Sequence, residues 1–199
     1  MTDTARTDRT RLRRKPQRGS HDFAAIAAIC DEALVCHIAF TSSHGPVVIP
    51  TTFVRVGDQL YVHGSAASRM LESLAEGGPA CIAITLLDGL VLAKTALHHS
   101  ANYRSVVAFG RGREITERAD KLAALAALLD KVEPGRSTAC RPPNDKELAA
   151  TMVIAFPLAE ASAKTRSGGP LPGDAEDEHL PYWAGTIPIV MTRGSRIDA

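Results

Sequence analysis

The chain has few aromatic residues: one tryptophan, three tyrosines and five phenylalanines, or 5% of 199 residues. None is interleaved with the arginines near the N-terminus, which removes the stacking half of a single-strand nucleic-acid site. Net charge is equally thin. Lys plus Arg number 23 and Asp plus Glu 22, and the resulting +1 argues against a dedicated nucleic-acid binder. No apolar run approaches the roughly 20 residues a bilayer requires, and the basic start lacks the apolar segment of a secretory signal. Neither membrane insertion nor export is therefore expected. Cysteine is sparse: Cys30, Cys36, Cys81 and Cys140 lie far apart and form no C-x-x-C pair, which argues against a zinc site. Without export they read as reduced thiols of a cytoplasmic protein, three of them core filler. There is no G-x-S-x-G elbow and no internal repeat.

What remains is an ordinary globular composition, 45% hydrophobic and 23% charged, enough to fill one core. Residues 1–19 form a basic arm carrying Arg6, Arg9, Arg11, Arg13, Arg14, Lys15 and Arg18, which reads as a solvated, poorly ordered extension. Residues 20–190 form a single domain, and 191–199 a tail.

In "SHDFAAIAAICDEAL", Ser20 and Asp22 are cap candidates, and Phe23, Ile26, Ala27 and Cys30 recur at helical spacing. Short apolar runs follow: "LVCHIAF", "PVVIPTTFVRV", "QLYVHG", "ACIAITLL" and "LVLAKTAL". Asp88-Gly89 between the last two predicts a two-residue hairpin. "SVVAF" and "ATMVIAFPLAEASAK" add later strands. Two more helices are expected. "SAASRMLESLAEG" starts at Ser65, and "ERADKLAALAALLDKVEPG" sets Leu122, Leu125, Leu129 and Val132 on one face before Pro134-Gly135 ends it. Six or seven antiparallel strands with flanking helices predict a mainly β barrel or sandwich.

Four stretches carry the candidate chemistry. In "YVHGSAASRML" a strand ends at His63-Gly64 and Ser65 opens a helix, so free amides, Ser68 and Arg69 would favour an anion. In "HHSANYRSVVAFGRG", Ser100, Tyr103, Arg104 and Ser105 offer donors for a phosphate or a ring edge. Adjacent residues on a strand point to opposite faces, so His98 and His99 cannot easily share one metal. In "VVIPTTF", Pro50 marks a strand edge, where amides beside Thr51 and Thr52 could meet a flat heterocycle. Trp183, alone in a Gly- and Pro-rich tail, would pack onto the barrel or onto a partner subunit.

Taken in order, "VVIPTTF", "YVHGSAASRML", "LLDGLVLAKTALHHSANYRSVV", "PGR", "SAKTRSGGP" and "YWAGTIP" resemble the pyridoxamine 5′-phosphate oxidase-related, FMN-binding family. The likeness is to its flavin-nucleotide-binding and nitroimidazole-resistance branch. The resemblance implies a split β-barrel and a homodimer with FMN at the subunit interface. It implies that Ile49, Pro50, Thr51 and Thr52 line the flavin, that His63, Gly64 and Ser65 sit beside it, and that Ser68 and Arg69 hold its phosphate. Ser100, Tyr103, Arg104 and Ser105 would complete the wall, with Lys164, Arg166 and Trp183 approaching from the tail. Met70 stands where the true oxidases carry a lysine, and the terminal "PIVMTRGSRIDA" matches their arginine-rich end poorly, so oxidation of vitamin B6 is not expected. The expected function is an FMN-dependent oxidoreductase of a small molecule, with His63 as the proton donor. A non-catalytic flavin store or redox sensor, and a barrel holding deazaflavin or haem instead, remain open.

Overall fold

The computed structural model describes residues 3–171, 173 and 175–198. Among them eleven strands and four α-helices follow one another as β1 (Gly19–Ser20), α1 (Phe23–Glu32), β2 (Val35–Ser42), β3 (Gly45–Thr52), β4 (Val54–Val56), β5 (Gln59–Ser65), α2 (Arg69–Ala75), β6 (Pro79–Leu92), β7 (Ser100–Arg111), β8 (Arg113–Glu114), α3 (Arg118–Val132), α4 (Asp145–Ala150), β9 (Thr151–Pro157), β10 (Ala161–Arg166) and β11 (Gly185–Pro188). None of these helices is long and apolar enough to cross a membrane. The chain divides into two compact units, Met1–Thr85 with Ser105–Ala163, and Leu86–Arg104 with Lys164–Ala199.

One sheet runs β1-β10-β7-β6-β2-β3, with β11 paired to β6, and a second runs β4-β5-β9-β8. Alternating apolar residues on β2 bury Cys36, Ile38 and Phe40 and leave the intervening ones outward. β3 pairs with it antiparallel from Val35↔Thr52 to Ser42↔Gly45 and ends the sheet, so Pro50 lies on an edge strand as expected. Helix α1 begins where the Asp22 carboxylate accepts the N–H groups of Ala24 and Ala25, and it buries Phe23, Ile26, Ile29 and Cys30. The centre is made by Phe53, Leu60, Val62, Leu71, Leu74, Ile82, Ile154 and Phe156, each 1% exposed or less. Cys30 and Cys36 belong to it, whereas Cys81 and Cys140 are half-exposed, so two cysteines rather than three are core filler.

The basic arm is tied down along residues 3–18, contrary to its composition. Its threonines alternate with its arginines. Thr4 and Thr10 are buried, and Thr4 Oγ1 donates to the Ala161 carbonyl at 2.7 Å. Ala5 N–H donates to the Ala159 carbonyl at 2.7 Å. Arg9 pairs with Glu160 and lies 5.1 Å from the Phe109 ring centroid. The small hydroxyls and amides anchor the backbone and leave the other arginines outside.

The second unit holds the late residues of β6, the early ones of β7, and β11. Here the Asp88-Gly89 hairpin does not form: β6 runs straight through it. Gly89 answers to packing instead of a turn. It faces Pro188 of β11, and an added Cβ would stand 2.9 Å from the Ile187 carbonyl oxygen. The Asp88 carboxylate is engaged by Arg104 at 2.6 and 3.0 Å. His98 and His99 precede β7 in irregular chain rather than lying on a strand.

Candidate functional site

Two constellations of polar groups stand out, one in each unit. The first grows from β5. Period-two alternation buries Leu60 and Val62 in the core and turns Tyr61 and His63 to the opposite face. There α3 presents Leu125, Leu129 and Val132 of the stripe expected of it, with Leu128 in place of Leu122. The stripe is not sealed by protein: Leu129 is 39% and Val132 54% exposed. The segment from Cys140 to Thr151 supplies the remaining wall with Cys140, Arg141, Pro143 and Glu147, and Thr52 joins from β3. Together they enclose a cavity of about 480 Å³, inside the range of small-molecule sites.

Most of that lining is apolar, and His63 is its only histidine. Its Nδ1 is buried with no hydrogen-bond partner. Such a nitrogen is costly unless a ligand or water meets it. Burial also pushes the His63 pKa below its ordinary value, so the ring is neutral at pH 7. A neutral imidazole in an apolar cleft suits a lone-pair donor to a metal better than an acid. At the rim, Arg141 grips Glu147 at 2.6 and 2.8 Å. That guanidinium, with the Asn144 N–H, holds the Glu147 carboxyl down at about 2. Asn144 and Glu147 form a reciprocal capping box that starts α4. The sequence reading missed α4, although N-D-K-E announces it.

The anion site expected at the next helix is looser. Ser68, not Ser65, is the N-cap of α2 and its side chain caps nothing; Ser65 Oγ instead accepts the Ala67 N–H at 3.2 Å. Arg69 is exposed, Gly64 and Ser68 half-buried. Ile49, Pro50, Thr51 and Thr52 lie together on β3, alternately half-buried and exposed. Ser105 also belongs to this unit.

The second constellation comprises Ser100, Tyr103, Arg104, Lys164, Arg166 and Trp183, all in the other unit. Arg166 is 5% exposed, yet among the described residues its guanidinium meets only neutral acceptors. Nη1 donates to Asn102 Oδ1 and to the Gly168 carbonyl, and Nη2 to the Gly169 carbonyl at 2.9 Å. A buried cation without a carboxylate beside it favours an incoming anion. Close along the chain, a cavity of about 340 Å³ is lined by Lys94, Thr95 and His98 together with Asp177 and Glu178, and Thr95 Oγ1 is buried without a partner among the described residues. His99 serves structure: its Nδ1 accepts the Ala93 N–H at 2.9 Å. Arg104 is committed to Asp88. Trp183 is 61% exposed, its ring lying against Gly185.

Residues 22–165 match the family model described as pyridoxamine 5′-phosphate oxidase. No curated protein matches the chain. Among solved structures, the flavocytochrome Anf3 from Azotobacter vinelandii is 37% identical over 98% of this chain and 91% of its own, with a TM-score of 0.92. The FAD and heme binding protein from Mycobacterium smegmatis is 35% identical over 92% of this chain and 89% of its own, with a TM-score of 0.87. A protein from Bacteroides thetaiotaomicron described in terms of 5-nitroimidazole antibiotic resistance is 22% identical over 73% of this chain and 85% of its own, with a TM-score of 0.62, and shares the fold. The mainly β, split-barrel class expected from the sequence is the class of these structures.

Proposed function

The chain belongs to the pyridoxamine 5′-phosphate oxidase family, and from that premise we propose that it is a redox protein holding two groups, a flavin nucleotide and a haem. The observation that carries the second group is His63, the one imidazole on the wall of a mostly apolar cavity. Residues and ligand fit: a porphyrin needs apolar walls and one neutral imidazole, and α3 with His63 offers both. His63 would ligate the iron, and Leu125, Leu128, Leu129 and Val132 would cover the macrocycle. Two relatives above one-third identity are named for this pair of groups, a flavocytochrome and a FAD and heme binding protein. Haem therefore accompanies the flavin instead of replacing it.

In this reading the flavin is FAD rather than the FMN the resemblance implied. A diphosphate suits Arg166, a buried guanidinium that meets only neutral acceptors among the described residues. A flavin takes up electrons in pairs or singly and a haem singly, so together they link a two-electron donor to one-electron traffic. The chain's part is to hold each group, exclude water from the haem cleft with the α3 leucines, and keep His63 unprotonated. A homodimer is part of the proposal, supported by the exposed Val48 on the edge strand β3, and so is a cytoplasmic setting, supported by four unpaired thiols. The test is the visible spectrum of the protein as isolated, with mass spectrometry of what acid releases. Flavin and haem bands with FAD in the extract support the reading; a flavin spectrum alone, with FMN, overturns the haem and the FAD together.

A further inference from the structure

Residues 1–18 hold seven of the 23 basic residues and two of the 22 acidic ones, so this short arm carries +5 in a chain whose total is +1. The rest of the molecule is therefore net acidic. Within the arm the charge is concentrated in "RRKPQR", residues 13–18. A solvated tail would spread such charges through many conformations, but here the backbone is set. Lys15 sits at φ 56, ψ 55, the one non-glycine residue at positive φ among the described residues. Pro16 follows it at the head of a single 3₁₀ turn, Pro16–Arg18, whose Arg18 N–H donates to the Lys15 carbonyl at 3.0 Å. The turn is fixed from behind: Gly19 packs so closely that a Cβ there would stand 3.0 Å from Leu12 Cδ1. Before it, Thr10 is 1% exposed and Arg9 is pinned to Glu160. The result is a rigid knuckle. Arg13, Arg14 and Lys15 are exposed, Arg18 is half-exposed, and none of the four forms an ion pair among the described residues.

We propose that this knuckle is the docking surface for an acidic one-electron carrier protein, a small protein with a net negative face that delivers electrons to the redox groups. The proposal rests on the redox reading above. Fixed, unneutralised charge steers an oppositely charged partner and sets its orientation. Nucleic acid fits less well, since no aromatic residue lies among residues 3–20 to stack on a base. A membrane fits less well too, because among the described residues of the arm the one large apolar side chain, Leu12, is turned inward against Gly19. In each productive encounter the carrier is oxidised by one electron and the chain's bound redox group is reduced by one.

The probe is a plant-type two-iron ferredoxin, an acidic one-electron carrier. Binding is followed by calorimetry at low and high salt, and reduction by stopped-flow absorbance, with dithionite as a small donor that needs no docking. The expected result is ferredoxin binding that weakens with salt and falls about tenfold or more in R13E/R14E, while R13K/R14K keeps it and dithionite reduces all three proteins at one rate. Equal binding and equal salt dependence in R13E/R14E would overturn the proposal. So would tighter binding of a duplex DNA 20-mer, or of phosphatidylserine vesicles, than of ferredoxin. Should the protein carry neither flavin nor haem, the redox reading fails by its own spectrum, and calorimetry still decides whether the knuckle recognises an acidic protein.

Discussion

Replacing His63 by leucine should make the cofactor-free protein more stable while destroying the proposed haem site. The magnitude follows from the orphaned Nδ1. A buried polar atom without a partner costs about 1–3 kcal/mol, and leucine fills a similar space with none. With some loss of fit, the net gain is about 1–2 kcal/mol, or about 2–8 °C in Tm for a chain of this size. The gain should also depend on pH. Burial lowers the folded pKa of His63, so below about pH 6.5, its unfolded value, the unfolded chain binds a proton that the folded chain refuses. Wild-type stability therefore falls as pH drops through that window, until the folded pKa is reached, and His63→Leu removes this component. Urea unfolding of both cofactor-free proteins at about pH 8 and about pH 5.5 measures it. A leucine variant less stable than wild type at both pH values, with no widening gap in acid, would refute the reasoning and mean that Nδ1 is satisfied in solution.

Other outcomes follow from the same geometry. In the native protein a thiol reagent should modify Cys81 and Cys140 quickly and reach Cys30 and Cys36 only on unfolding, since burial raises the latter two to about 12; haem should then protect Cys140, and four equally fast thiols would contradict the packing. Gly89→Ala should detach or shift β11, because its Cβ would collide with the Ile187 carbonyl, at a cost of about 1–3 kcal/mol; hydrogen exchange along residues 185–188 reports it, and unchanged protection refutes it. Lys131 donates to the Cys30 carbonyl at 2.8 Å, stands 3.7 Å from the Phe53 ring centroid, and is pushed down to about 8 by burial. Between about 8 and its usual 10.5 the unfolded chain binds the extra proton, so this residue makes stability rise with pH there. Lys131→Met should lose that rise in urea melts, and an identical pH slope in both proteins would count against it.

Much of this architecture was legible because local chemistry and global fold agree. The alternation in "LVCHIAF" and "QLYVHG" is the buried and outward pattern of β2 and β5, and Asp22 caps α1 where its position predicts. Asp88-Gly89 misled because a residue pair can allow a turn that tertiary pairing does not use: Gly89 is needed for the approach of β11, which lies about a hundred residues further along the sequence. The arm misled because charge density suggests disorder, while alternating threonines provide anchors that composition hides. For the site, His63 and Arg166 could be picked out by residue type and resemblance, but their burial could not. The haem-sized cleft draws on Thr52, His63, α3 and residues 140–151, so no local window contains it. The stripe Leu125, Leu129 and Val132 was visible at helical spacing. That protein leaves part of it open is a tertiary fact.

The most direct test of the central claim is a hemin titration of cofactor-free wild type and of His63→Leu, followed by absorbance. The account predicts a saturating haem band at one equivalent per chain in the wild type, none in the variant, and unchanged flavin binding in both. Equal haem uptake by the two proteins would contradict it, because the ligand would then lie elsewhere than the His63 cleft.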